Sequence, residues 1–397
     1  MTAQEPALIR QAKAQLGPIM PLDCREYDTT SAHRLLGQDA RTQIHKILFQ
    51  RMNSLGNQAQ VWEQIQRARG FQAALNAKSL NVGLNEAIRA AVRQYQACLS
   101  AWAEGARLAD FRHPLLAESI AGIPVSAEDL ATLLQEDEVG CQTGVIREHS
   151  GAVVLWHSEE DYEDSPGQRF DKLRLFLFRA VNDQSACGFI YPDLLPGPTF
   201  GWQADDFAQG IDTLHVRSAQ LEEAILPNTL AWLSLYLGAQ VSRQDLATQL
   251  GPFQGGYSLT GIYKKNGQIC VEKVEYANNQ VAACALGLGA GEYLFQTNVI
   301  RDLSHSIGTE EETSPESRAW NEKRMVRTGR LIKVIQQSSD TVGMILRMLR
   351  SRLGGESAYS NRDVKAYFVC RMTTEKIFIQ VGAGAAISGD KLFSIEM

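Results

Sequence analysis

The chain has 397 residues, with 39 Lys plus Arg against 45 Asp plus Glu and a formal net charge of −6. Apolar residues make up 44% and charged residues 21%, a globular composition that excludes a fibrous or disordered chain. The acidic balance argues against a nucleic-acid or anionic-membrane partner, and no apolar run approaches the roughly twenty residues of a membrane span.

The length suits one large domain or two ordinary ones. The first residues, Met1 to Pro6, carry no basic stretch leading into an apolar core, so no signal peptide is expected. Seven cysteines (24, 98, 141, 187, 270, 284 and 370) are odd in number and scattered, with no Cys-x-x-Cys. That pattern predicts a reduced, cytoplasmic protein rather than a disulfide scaffold. The histidines form no His-x-x-x-His pair, so no metal site is expected.

Residues 1 to about 140 read as mostly helical. Glu86 to Ala103 places Ile88, Ala91, Val92, Tyr95, Leu99 and Trp102 near one stripe. Ser126-Ala127-Glu128-Asp129, ahead of Leu130, Leu133 and Leu134, is a capping-box-like helix start. An acidic loop, Glu136-Asp137-Glu138, then leads into Gly140-Cys141-Gln142-Thr143-Gly144, where the period changes to β. Thr143 to Arg147 and Ala152 to Trp156 read as a hairpin turning at Glu148-His149-Ser150-Gly151, followed by the polar cluster His157-Ser158-Glu159-Glu160-Asp161.

Three more hairpins follow: Lys172–Val181 with Ser185–Tyr191, Tyr257–Lys264 with Gln268–Glu275, and Val364–Arg371 with Lys376–Val381. Asn266-Gly267 is the strongest turn signal among them. Such short connections force antiparallel pairing. Helices are expected over Ala219–Leu237, with Pro227 breaking or kinking it, and over Arg318–Ser338 and Thr341–Leu353. Gly308 to Pro315 reads as a flexible acidic loop. The glycine-rich stretches Gly287–Gly291 and Gly382–Gly384 lack dinucleotide spacing and read as turns. Antiparallel strands with segregated helices predict an α+β fold.

Gly-Cys-x-Thr at 140–143, Gly151 ten residues after the cysteine, and His157-x-Glu159 followed by acids resemble the penicillin acyltransferase-like family (acyl-coenzyme A:6-aminopenicillanic acid acyltransferase-like) of cysteine N-terminal-nucleophile (Ntn) hydrolases. The resemblance continues through Leu195-Pro196-Gly197-Pro198-Thr199-Phe200-Gly201-Trp202, Gln296-Thr297-Asn298 and Ser314 to Leu331, covering about His113 to Phe393. It implies an αββα sandwich, two antiparallel sheets between helix layers, and a precursor that cuts itself before Cys141. The pieces would be a helical pro-segment, 1–140, and a β chain, 141–397, packed as one domain. The implied activity is that of an amidohydrolase or acyltransferase acting on a small acyl amide or amine, with no cofactor and with acyl-coenzyme A as a candidate donor. No nucleic-acid or membrane partner is implied.

The chemistry gives a reason for a cysteine at a new chain end. A free cysteine near pH 7 is mostly protonated, and a free α-amine on the same residue can take the thiol proton. Gly140 lacks Cβ and tolerates the backbone strain of attack on its carbonyl. By resemblance an acid orients the amine: Glu160 matches by count and Asp161 by residue type, with Ser158 substituted. His157 resembles a family histidine and equally suits a structural role. Arg318 and Arg324 lie in the segment like the family's arginine-bearing helix, one of them expected at the site. The oxyanion needs preorganised donors. Where the family has an Asn, this chain has Gln254-Gly255-Gly256-Tyr257, so either the donor is Gln254 or a backbone N–H, with Asn298 a second candidate, or the activity is altered or lost. A rival expectation from another class is a catalytically silent relative that binds a small acylated ligand or a partner protein.

Overall fold

The structure, a computed structural model, describes residues 19–116, 124–135, 140–161, 173–204, 206–216, 223–298, 315–350, 352–353, 356–357, 363–383 and 393–395. The expected loop at 308–315 and the acidic loop at 136–138 fall almost wholly outside them.

Four helices build most of the first 140 residues: α1 (Thr29–Leu55), α2 (Gln58–Leu80), α3 (Glu86–Gly105) and α4 (Ala127–Leu134). Each begins at a side chain that accepts a bond from an otherwise orphaned backbone N–H: Asp28, Asn57, Asn85 and Ser126. Ser126 and Asp129 form the full reciprocal capping box. The mostly helical expectation needs one correction. Ahead of α1 lies a strand, β1 (Met20–Asp23), that pairs in parallel with β4 (Arg174–Arg179). Its four residues show no period of their own; it forms because a sheet edge is there to receive it. Pro21 is tolerated because an edge strand has a side that needs no donor.

The remaining strands are β2 (Gly140–Arg147), β3 (Val153–Asp161), β5 (Ser185–Ile190), β6 (Phe200–Gln203), β7 (Phe207–Thr213), β8 (Gly256–Lys265), β9 (Gln268–Ala277), β10 (Gln280–Leu286), β11 (Tyr293–Gln296), β12 (Arg352–Leu353), β13 (Glu356–Ser357), β14 (Asp363–Met372), β15 (Ile377–Ala383) and β16 (Phe393–Ile395). They form an eight-stranded sheet in the order β1-β4-β5-β6-β7-β8-β9-β10, a six-stranded sheet in the order β11-β2-β3-β14-β15-β16, and a two-stranded ribbon. Among the described residues the strands pair antiparallel except β1 with β4. The four expected hairpins are present, with strand ends differing by up to five residues from those expected.

Four further helices are α5 (Pro227–Leu237), α6 (Arg243–Leu250), α7 (Pro315–Gln336) and α8 (Thr341–Arg350). The expected helix from Ala219 instead starts at Pro227, which fills the first helical position, where its missing N–H costs nothing. Residues 217–222 lie outside the described residues, and Glu223 carries a positive φ of 58° that no helix continues through. The turn expected at Gly382–Gly384 is also corrected: Gly382 and Ala383 belong to β15, and a Cβ on Gly382 would run into the Tyr367 ring.

Side-chain alternation divides the interior into layers. Val145, Val153, Leu155, Phe368 and Cys370 of the six-stranded sheet meet Leu175, Phe189, Trp202, Ala208 and Ile262 of the eight-stranded sheet. Alternate residues Ile146, Val154, Trp156, Tyr367 and Val369 pack against α7 and α8. The far face of the eight-stranded sheet packs against α1 to α6, in a core shared by residues from both sides of Gly140. Burial of these faces, at about 25 cal/mol per Å² of apolar surface, is the main force holding the layers together.

Candidate active site

The space between the sheets is apolar at one end and polar at the other. The change falls along β2 and β3, where Val145 and Leu155 give way to Cys141, Thr143, His157 and Glu159 on the same inner face. The register Cys141↔Glu159 and Thr143↔His157 places these four side by side. Opposite them on β7, Ala208 lines the apolar part, and Gly210 and Asp212 follow at the same period of two. A Cβ on Gly210 would sit 3.0 Å from Thr143 Oγ1 and 3.1 Å from His157 Nδ1, so glycine lets the sheets close here. Strands β8 and β9 complete the wall with buried Ser258, Thr260, Lys273 and Glu275. Lys273 Nζ donates to Glu275 Oε1 at 2.8 Å.

Cys141 is fully buried, and its Sγ donates to Ile211 O at 2.8 Å. Burial first, then the charge of Asp212 and after it Glu159 and Glu160, push the thiol well above its ordinary pKa, while the Thr213 N–H works the other way. In the intact chain the thiol is therefore protonated. His157 is engaged at both nitrogens: Nδ1 with Thr143 Oγ1 at 2.9 Å and Nε2 with Glu159 Oε1 at 2.6 Å. Tyr191 OH donates to Glu159 Oε2 at 3.0 Å.

The outer face of the same hairpin carries a second buried group. Ser158 Oγ donates to Glu160 Oε1 at 3.0 Å, Gln142 Nε2 donates to the same oxygen, and Arg324 pairs with Glu160 Oε2 at 3.1 Å. Arg324 comes from α7 and also donates to Asn298 Oδ1 at 3.1 Å, to Asn321 Oδ1 at 3.0 Å and to the Cys141 carbonyl at 3.0 Å. Asn298 Nδ2 in turn donates to Thr213 O at 2.8 Å. The backbone of Cys141 is thus tied to one network and its thiol to another.

The sequence-predicted residues sort accordingly. Cys141 and His157 share the inner face; Glu160 and Asn298 meet Arg324 on the outer side, and Arg324 alone of the three reaches the Cys141 carbonyl. Gly140 pairs with Glu160 in the ladder, which fixes the backbone just before the cysteine. Gln254 lies in the loop before β8, its N–H donating to Ile225 O at 3.0 Å, and the described contacts do not bring it to Cys141. Asp161 and Arg318 lie on β3 and α7, with side chains outside the described residues.

Two acids at the inner face were given no site role from the sequence. Glu159 is one, although the two-residue period counted back from Leu155 identifies its face. Asp212 is the other. It sits in a strand, Phe207–Thr213, whose local composition carries no site signal. Among the described residues neither oxygen of Asp212 has a well-formed hydrogen bond. Burial raises its pKa from 3.8 to about 7, opposed by His157, the nearby Thr143 hydroxyl, Arg324 and Lys273.

Cys141 Sγ, a His157 nitrogen and a Glu159 oxygen lie within 4.8 Å of one another, but both His157 nitrogens and the thiol are already engaged in hydrogen bonds. Comparison with models of known protein families returns no match for this sequence, and comparison with curated proteins returns none at a significant level.

Proposed function

We propose that the chain is a self-processing cysteine amidohydrolase or acyltransferase of the Ntn type. The thiol of Cys141 attacks the Gly140 carbonyl, and cleavage leaves Cys141 as the first residue of residues 141–397. Its thiol then takes the acyl group of a small amide as a thioester, and water or an amine accepts that group. The helix–sheet–sheet–helix layering supports this reading.

The observation that carries this reading is the double hold on Cys141 at the start of an inner strand. Ile211 O fixes the thiol, and Arg324 fixes the carbonyl of the same residue. The backbone ahead of the nucleophile is held in a ladder by Glu160. A thiol that is fully buried in the uncut chain suits a precursor whose site opens once a chain end is released there.

An amide-library screen with product mass analysis, run with and without an amine acceptor, tests the activity and separates hydrolysis from transfer. Acylation of Cys141 by a hydrolysable amide is expected. One feature favours the silent-binder alternative: Asn298 Nδ2 already donates to Thr213 O, and the Gln254 backbone N–H, donating to Ile225 O, is not at Cys141. An inert, unlabelled thiol in the isolated protein decides for the binder.

A further inference from the structure

We propose that Asp212 is the general base that takes the Cys141 thiol proton when the intact chain cuts itself, an assignment that rests on the self-cleavage reading above. In the uncut chain Cys141 has an amide nitrogen where the mature residue has an amine. The base that serves the mature Ntn residue does not yet exist, and the protonated, buried thiol needs another.

The surrounding groups narrow the choice. His157 shares Nδ1 with the Thr143 hydroxyl and Nε2 with Glu159, at 2.9 and 2.6 Å. Glu159 also accepts from Tyr191. Glu160 is on the outer face of the hairpin, paired with Arg324. Asp212 differs from all three. It projects from β7 into the space between the sheets, and its chain neighbours Ile211 and Thr213 supply the backbone oxygen and N–H that hold Cys141 Sγ. Its carboxylate is completely buried without a well-formed hydrogen bond among the described residues, so a negative charge there is costly and accepting a proton relieves that cost.

The charged and titratable groups facing it are Cys141 on β2, His157 and Glu159 on β3, Lys273 and Glu275 on β9 and Arg324 on α7. Burial, opposed by His157, the Thr143 hydroxyl, Arg324 and Lys273, leaves Asp212 titrating at about 7, where a general base works best at neutral pH.

The step balances as follows. The thiol proton passes to the Asp212 carboxylate as Sγ bonds to the Gly140 carbonyl carbon. The Gly140–Cys141 C–N bond then breaks, and the departing nitrogen takes the proton back from Asp212, giving a free amine and a thioester. Water adds to the thioester carbon, the C–S bond breaks, and the thiol is restored with its proton from that water.

The test uses the full chain made in a cell-free reaction with a brief pulse of labelled methionine. The sample is jumped to buffers from about pH 5.5 to about pH 8.5, and cutting is followed by denaturing electrophoresis. Wild type should cut at a rate that rises with pH and levels off above about pH 7. Asp212→Asn should cut about 10²-fold more slowly or worse and lose that rise, and Asp212→Glu should recover part of both. Thermal melts of all three establish that each is folded. A folded Asp212→Asn protein that cuts at the wild-type rate with the wild-type pH profile overturns the assignment while leaving self-cleavage intact. A folded wild-type chain that never cuts overturns the self-cleavage reading and this assignment together.

Discussion

Replacing Asp212 with Asn in a Cys141→Ala background, where no cutting intervenes, should stabilise the protein at pH 8 and leave it nearly unchanged at pH 4. The folded chain holds this carboxyl at about 7 against 3.8 for an ordinary aspartate, because burial outweighs His157, Thr143, Arg324 and Lys273. Between about pH 4 and pH 7 the folded state therefore keeps a proton that the unfolded state has lost. Stability from this group is fully present below pH 4, falls through that window and is gone above pH 7. At about 1.4 kcal/mol per pH unit the loss is about 4 kcal/mol, an upper figure for a completely buried group. An asparagine mimics the protonated acid at every pH and escapes it. For a chain of this length, with an unfolding entropy of about 2 cal/mol/K per residue, 4 kcal/mol corresponds to a rise in Tm of about 5 °C. Calorimetric melts of the two variants at pH 4, 6 and 8 give the comparison. A gain as large at pH 4 as at pH 8, or none at pH 8, would refute the assignment of a raised pKa to the buried Asp212 carboxyl.

Other perturbations separate the two faces of the β2–β3 hairpin. Glu160→Gln leaves the Arg324 guanidinium buried without its carboxylate and should cost about 3–5 kcal/mol in urea unfolding, with cutting lost as the Cys141 carbonyl is released. Gly210→Ala presses a methyl against Thr143 and His157 and should lower turnover about tenfold or more. Gly70→Ala, on a part of α2 where a Cβ meets nothing within 4 Å, should stabilise by about 1 kcal/mol and leave turnover alone. Equal kinetics for the two glycine variants would show that the close approach at Gly210 has no functional consequence.

The sequence was most legible where one local rule decided the outcome. Ser126 and Asp129 cap α4 because a short polar side chain and a carboxylate three residues later satisfy two orphaned donors, an interaction contained in four residues. The Asn266-Gly267 turn and the period of two in its flanking strands needed no tertiary information either. Strand β1 could not be read, since its pairing partner lies some 150 residues downstream and supplies what its own composition lacks. The candidate site falls between these cases. Cys141, His157, Glu160, Arg324 and Asn298 were accessible from motif order; the structure brings His157, Glu160 and Arg324 to Cys141 or its chain neighbours, and Asn298 to Arg324. Glu159 was accessible through alternation: Leu155, His157 and Glu159 share a face, so the acid beside the thiol is the one directly opposite it in the ladder. Asp212 was not, because a single aspartate in an otherwise ordinary strand acquires its character only from burial and from Cys141 across the gap between the sheets.

Intact-mass measurement of the purified wild-type protein tests self-cleavage most directly. Two masses are expected, one for the 140 residues ending at Gly140 and one for the 257 that begin with Cys141, which together make up the 397. The pieces should stay together under native conditions, because α1 to α4 share a core with strands of the second piece, and Cys141→Ala should give the single uncut mass. A wild-type protein that remains one uncut chain and still turns over an amide substrate would contradict the proposal.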